Sequence, residues 1–209
     1  MLSYDLFIDG GTRSTAGTIE VTDPATGDPV GRVARGDSSD ADAAIAAASD
    51  AADEWERAPP TDRERALHTV ADRIEADADA IAELLSQETG KCLGTAEGEV
   101  AETAAQFRFY AGVADKVRGD TIPTAANRLN YTRRTPYGVT AHIIPWNYPL
   151  LLGTRGIAAA LATGNTVVAK PPSHAPLTTM WIGEYLAEAL PAGVVNFVPG
   201  PGSEVGSAF

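Results

Sequence analysis

The sequence predicts an α/β fold built on a parallel sheet, preceded by a small strand-rich segment and a run of helices. Three observations carry that reading. Three short apolar runs, Val139 to Ile144, Thr166 to Ala169 and Val194 to Val198, each end abruptly in proline, glycine or polar residues. Two longer stretches, with apolar residues at helical spacing, separate them. Strands alternating with helices pair in parallel, and their carboxyl ends then open toward one ligand-binding side. The first run stops at Pro145-Trp146-Asn147, the second at Lys170-Pro171-Pro172-Ser173 and the third at Pro199-Gly200-Pro201-Gly202.

Ahead of the sheet, Leu6-Phe7-Ile8 followed by Gly10-Gly11 reads as a strand and turn, and Thr18 to Asp23 as a second strand. Asp23-Pro24-Ala25-Thr26-Gly27-Asp28 is a turn, since proline fixes φ and glycine permits a positive one. Gly31-Arg32-Val33 returns as a third strand, which predicts a peripheral β-meander. A helix capped by Ser39 or Asp40 then runs to about Arg57, with Ala44, Ala47, Ala48, Ala51 and Trp55 near one face. Pro59-Pro60 stops it. Thr61-Asp62-Arg63-Glu64 has the form of a capping box and opens a second helix, carrying Leu67, Val70, Ala71 and Ile74. A third, about Ala78 to Glu88, carries Ile81, Leu84 and Leu85 and ends at Gly90 in a left-handed cap. A fourth, about Thr95 to Ala114, carries Val100, Ala104, Phe107 and Ala111. These residues are read as core. From Gly119 to Arg134 the helical period is lost; Asn130 to Arg134 has strand propensity, with Arg133-Arg134 a solvated or ion-paired edge.

The chain has 209 residues, 44% of them hydrophobic, which is enough for one large domain or two small ones. Its formal net charge is −12 and its only lysines are Lys91, Lys116 and Lys170. Such a surface repels nucleic acid and anionic membranes. It suits a protein kept soluble in concentrated salt, where carboxylate repulsion is screened, so a halophilic source is expected. A single cysteine, Cys92, excludes an internal disulfide and most structural zinc sites. His68, His142 and His174 lack metal-ligand spacing, so no metal site is expected. His142 reads as a satisfied core residue. The N-terminus has no basic region followed by an apolar core, and the apolar stretch Leu150 to Ala162 is too short to span a bilayer. A cytoplasmic protein without a membrane partner is the expectation.

Three places carry candidate chemistry, and at each two readings stand open. Asn147 sits just past a strand end, where its amide can donate to an oxygen gaining negative charge, or can cap the helix starting near Pro149. Lys170 ends a buried-type strand, where an ammonium can meet ribose hydroxyls or phosphate, or can lie at the surface. Gly200-Pro201-Gly202-Ser203-Glu204-Val205-Gly206 approaches a phosphate-loop pattern with one residue too many, or is a plain strand-to-helix turn. Cys92 has no histidine near it in sequence and is not read as a nucleophile.

Taken together, these stretches resemble the NAD(P)-dependent aldehyde dehydrogenase superfamily. The matching text is Thr135-Pro136-Tyr137-Gly138-Val139, Ile143-Ile144-Pro145-Trp146-Asn147-Tyr148-Pro149, the stretch from Ala160 to Pro171, and that from Pro191 to Gly200. The Asp23 to Gly27 turn, the helices and Glu88-Thr89-Gly90-Lys91 are similar to the family's N-terminal half. The resemblance implies an incomplete Rossmann-like cofactor-binding sheet over 135–209, the first three βα units, with residues 1–134 packing on it and including the start of the oligomerisation strands. It implies that Asn147 steadies the aldehyde oxygen as a thiolate attacks. Ile143, Ile144 and Trp146 become cofactor wall, Lys170 the contact to the adenosine ribose or a 2′-phosphate, and Gly202 and Gly206 close-approach glycines. Ser173 stands where many NAD-preferring members carry glutamate, so NADP as well as NAD is expected to be accepted. The substrate implied is a small aldehyde, and the full-length enzyme a homo-oligomer. The family's catalytic cysteine and glutamate lie beyond Phe209, so the catalytic domain is expected to be absent and the chain to be an N-terminal half, inactive alone. The rival expectation is a non-catalytic remnant that binds nucleotide weakly or associates with a full-length relative. An acyl-phosphate reductase of related fold is disfavoured by Pro145-Trp146-Asn147.

Overall fold

The computed structural model describes residues 1–209. In chain order it holds β1 (Leu2–Tyr4), β2 (Leu6–Ile8), β3 (Gly11–Arg13), β4 (Thr18–Thr22), β5 (Pro29–Ala34), α1 (Ser38–Arg57), α2 (Pro60–Ala76), α3 (Ala78–Thr89), α4 (Leu93–Ala111), β6 (Val139–Ile143), α5 (Pro149–Ala162), β7 (Thr166–Lys170), α6 (Leu177–Ala189) and β8 (Val195–Phe197). A single π-helical turn, Gly202–Gly206, follows. No helix is long and apolar enough to cross a membrane.

The five-stranded sheet has the order β3-β2-β8-β7-β6. β6, β7 and β8 are parallel, with Ile143 opposite Lys170 and Ala169 opposite Phe197, so their carboxyl ends share one side of the sheet. Crossover helices α5 and α6 make this pairing possible. β7 is buried along its whole length because strands flank it and helices cover it.

The N-terminal strands depart from the expected peripheral meander. β2 joins the central sheet through an antiparallel pairing of Phe7 with Phe197, and β3 extends it. Asp9 and Gly10, both at positive φ, form the two-residue turn between β2 and β3. The turn is thus one residue earlier than Gly10-Gly11. β1, β5 and β4 form a separate three-stranded sheet in which β1 runs parallel to β5. Three-residue strands hold too little pattern to show a partner 190 residues away in sequence.

Helices α1 to α4 occupy the predicted stretches; α3 starts at Ala78 as expected, whereas the starts of the other three differ. Asp37, not Ser39 or Asp40, caps α1: its carboxylate accepts from the Ser39 and Asp40 N–H groups, and Asp40 reaches back to the Asp37 N–H. α2 begins at Pro60, one residue before the expected box, and has no side-chain cap. Proline at its first position lacks an N–H and presets φ, so no hydroxyl is needed there. Gly90, at φ 73°, closes α3 as expected. Asn130 to Arg134 forms no strand; one bridge, Thr121 to Tyr131, ties this exposed segment to itself.

Several helix ends are satisfied by buried charged side chains from other elements. Arg63 donates to the Ala162 carbonyl (3.1 Å) at the end of α5 and to the carbonyls of Trp55, Glu56 and Ala58 at the end of α1. The first N–H groups of α5 and α6 point at Glu99 and Glu88, respectively. Arg63 thereby ties together the C-terminal ends of α1 and α5, while Glu99 and Glu88 hold the N-terminal ends of α5 and α6, on the side of the sheet where the strands open. One apolar core runs from Val21 and Val33 through α1 to α6 and into β7 and β8.

Candidate active site

Each parallel strand delivers one chemical feature to the sheet's open end. β6 finishes at Ile143, after which the Ile144 N–H still bonds the Lys170 carbonyl (3.0 Å). Pro145 then breaks the pattern and throws Trp146 and Asn147 outward. Trp146 is 64% exposed and Ile143 59%. Ile144 differs: its side chain is 4% exposed and packs against Gly153 of α5. Only its backbone reaches the strand-end surface, so Ile143 and Trp146 are the apolar side chains offered there.

Asn147 is exposed and its amide makes no side-chain hydrogen bond, whereas its backbone carbonyl accepts from the Lys91 ammonium (3.0 Å). The capping alternative fails at this residue. The cap position of α5 is Tyr148, and the helix's first free N–H groups are taken by Glu99. An amide left without an internal partner can donate to a carbonyl oxygen that gains charge.

Lys170 is buried, not superficial. Its side chain is covered and its ammonium donates to the carbonyls of Pro171 (2.8 Å) and Gly200 (3.2 Å). No carboxylate pairs with it, and burial lowers its pKa. An ammonium has three donors. Two meet neutral oxygens, which leaves one donor and an uncompensated charge. Such a site favours a ligand rich in hydroxyls or phosphate.

The Gly200 carbonyl also accepts from Ser173 Oγ (3.3 Å), so Lys170 and Ser173 converge on one oxygen. The loop carrying it is tightly fixed. A Cβ at Gly200 would lie 2.6 Å from the Gly36 carbonyl oxygen and 2.5 Å from Val205 Cγ2. The Gly36 N–H in turn bonds the Pro199 carbonyl (2.8 Å). Gly206 faces Lys170 Cδ at 3.6 Å and Ile143 Cδ1 at 3.7 Å, measured from where a Cβ would stand, and Gly202 opens on empty space. A hollow of about 300 Å³ adjoins Trp146, Ser173 and His174. A hollow of about 760 Å³ lies instead among Trp55, Pro59, Arg65 and Pro191, where α1 ends, α2 begins and the chain approaches β8, and Arg65 there is paired with Asp62.

The remaining candidates fall away from the chemistry. His142 is half-buried on the edge strand, bonded to Thr140 Oγ1 (3.0 Å), and burial lowers its pKa. Cys92 is exposed at the start of α4, with no base hydrogen-bonded to it. No group of three or more histidine, cysteine or acidic side chains is placed to hold a metal. Nothing in the sequence signals the parts played by Glu99 and Gly36, and sequence reading assigns no role to Lys91. Lys91 is marked by the rarity of lysine in the chain and by its place in Glu88-Thr89-Gly90-Lys91.

Residues 12–209 match the aldehyde dehydrogenase family. The chain belongs to the aldehyde dehydrogenase family. It is 44% identical over 193 residues to a hydroxyisobutyraldehyde dehydrogenase of Mycolicibacterium austroafricanum, covering 92% of this chain and 38% of that protein. It is 42% identical over 208 residues to an aldehyde dehydrogenase of Aspergillus niger, covering 98% and 42%. The NAD+ complex of the aldehyde dehydrogenase from Bacillus cereus superposes with a TM-score of 0.95 at 38% identity, covering 99% of this chain and 43% of that one. The chain therefore spans about two fifths of the length of the relatives it matches. The aldehyde dehydrogenase likeness extends through both sheets and all six helices.

Proposed function

We propose that this chain supplies the N-terminal part of an NAD(P)-dependent enzyme that oxidises an aldehyde to a carboxylic acid through a thioester. One observation carries the reading: a single sheet end holds both an unengaged amide, Asn147, and a buried ammonium without a counter-anion, Lys170. In this reading Asn147 donates to the aldehyde oxygen while negative charge develops on it. The nucleophilic thiol and the carboxylate base come from polypeptide outside these 209 residues.

Lys170 and Ser173 are the groups that hold the adenosine end of the cofactor, with Ile143 and Trp146 as apolar wall and Gly202 and Gly206 keeping the approach open. The cofactor, when bound, supplies the hydride acceptor. The Ser173 hydroxyl can donate to a 2′-phosphate, where a carboxylate would repel it, so both NAD and NADP are accepted. Residues 1–134 pack on the cofactor-binding unit, 135–209, and the exposed segment bearing Val117, Ile122, Leu129 and Tyr131 belongs to the surface through which full-length copies associate.

The test is aldehyde-dependent reduction of nicotinamide by the complete polypeptide. Asn147→Ala should lower kcat about a hundredfold, as for loss of one preorganised donor. Reduction that proceeds at the wild-type rate in that variant would sink the reading.

A further inference from the structure

The geometry points to Lys91 as a positioning residue for Asn147: its ammonium, clamped by Glu99, fixes the Asn147 backbone and thereby aims the amide. This rests on the role of Asn147 proposed above.

Lys91 is itself well anchored. It follows the left-handed Gly90, and Ser86 Oγ donates to its carbonyl (2.7 Å). Its ammonium donates to Glu99 and to the Asn147 carbonyl (3.0 Å), and stands 4.5 Å from the centroid of the Tyr148 ring. Glu99 has no exposed side-chain surface. One of its oxygens accepts from Lys91, while the other accepts from the N–H groups of Leu150 (3.0 Å) and Leu151 (3.2 Å). The carboxylate thus ties Lys91 to the helix that begins immediately after Asn147.

The segment from Asn147 to Leu151 is consequently held at a carbonyl, an aromatic ring and two N–H groups by one ion pair. Asn147 needs that support. Its amide has no bond of its own, and Tyr148 adopts an irregular φ of −137° and ψ of 67°, so regular helix geometry does not define the approach to α5. An amide free to wander loses the preorganisation that makes it useful. A purely structural role for Lys91, neutralising buried Glu99, would cost stability and leave turnover alone.

The experiment is a double-mutant cycle in the complete polypeptide, reading kcat, KM for cofactor and melting temperature. Lys91→Met should lower kcat about tenfold with KM for cofactor little changed, since only the aim of a reacting group is disturbed. In an Asn147→Ala background the same substitution should cost nothing further. Lys91→Arg, which keeps the charge opposite Glu99, should retain most of the turnover, and any loss it shows should also vanish in that background. This variant keeps the cycle readable if Lys91→Met does not fold. Losses that add across the cycle, or a lowered melting temperature with unchanged kcat, would overturn the positioning role and leave that of Asn147 intact. Wild-type kcat in Asn147→Ala alone would overturn both.

Discussion

Glu88→Gln should flatten a pH dependence of stability set at the junction of α3 and α6. Glu88 is completely buried, and burial pushes its carboxyl up to about 7 from an ordinary 4.5. The Thr178 hydroxyl and the N–H groups of Thr178 (3.0 Å) and Leu177 (2.7 Å) pull the other way, and the charge of Glu99 raises it further. A group that binds its proton more tightly when folded stabilises the fold fully below its unfolded pKa, and that contribution is lost as pH rises through the folded value. The interval is 7 − 4.5 = 2.5 pH units, and at about 1.4 kcal/mol per unit it amounts to about 3 kcal/mol. Glu184, also raised by burial, acts in the same direction, and His142, lowered by burial, acts in the opposite one. Asp37, Glu75 and Asp115 are lowered and act only at more acid pH. Subtracting the variant cancels all of these. Urea unfolding of wild type and Glu88→Gln, followed by tryptophan fluorescence from pH 5 to 8, should show the stability difference shifting by about 2.5 kcal/mol against the wild type as pH rises, the part of the total that falls within this range. A difference that stays constant across that range would refute the reasoning.

Two further outcomes follow from the site. Ser173→Glu should weaken NADP at least about tenfold relative to NAD, because a carboxylate beside a 2′-phosphate repels it, and the ratio of KM values for the two cofactors reads this directly. Gly200→Ala should destabilise the fold by about 1–3 kcal/mol, since the added methyl meets the Gly36 carbonyl and Val205 closer than contact allows; an unchanged melting temperature would count against the tight loop.

How much could be read beforehand depended on how local each cause is. Pro145 and Pro171-Pro172 end β6 and β7 by removing N–H groups and fixing φ, so Asn147 and Lys170 announced their positions in the sequence itself. Gly90 closed α3 for the same kind of local reason. The Thr61 box misled because Pro60 had already fixed the helix start. The cap of α1 was missed by two or three residues because Asp37 and Asp40 are alike in chemistry and only geometry separates them. Burial of Lys170 depends on Gly200, 30 residues on, and the pairing of β2 with β8 spans nearly the whole chain. The caps supplied by Glu88 and Glu99 lie 89 and 51 residues from their helices, with no periodicity to connect them. Ile144 looked equivalent to Ile143, yet successive strand residues face opposite ways, and one belongs to the core.

The most direct test of the central claim is the dissociation constant of NAD for the complete polypeptide carrying Lys170→Met. The ammonium is buried and lacks an anion, so an apolar side chain of similar length should leave the melting temperature unchanged or raise it. Cofactor affinity should nonetheless fall about tenfold or more, the usual loss for one hydrogen bond from a charged donor. Affinity that holds at the wild-type value would contradict the assignment of this sheet end as the cofactor site.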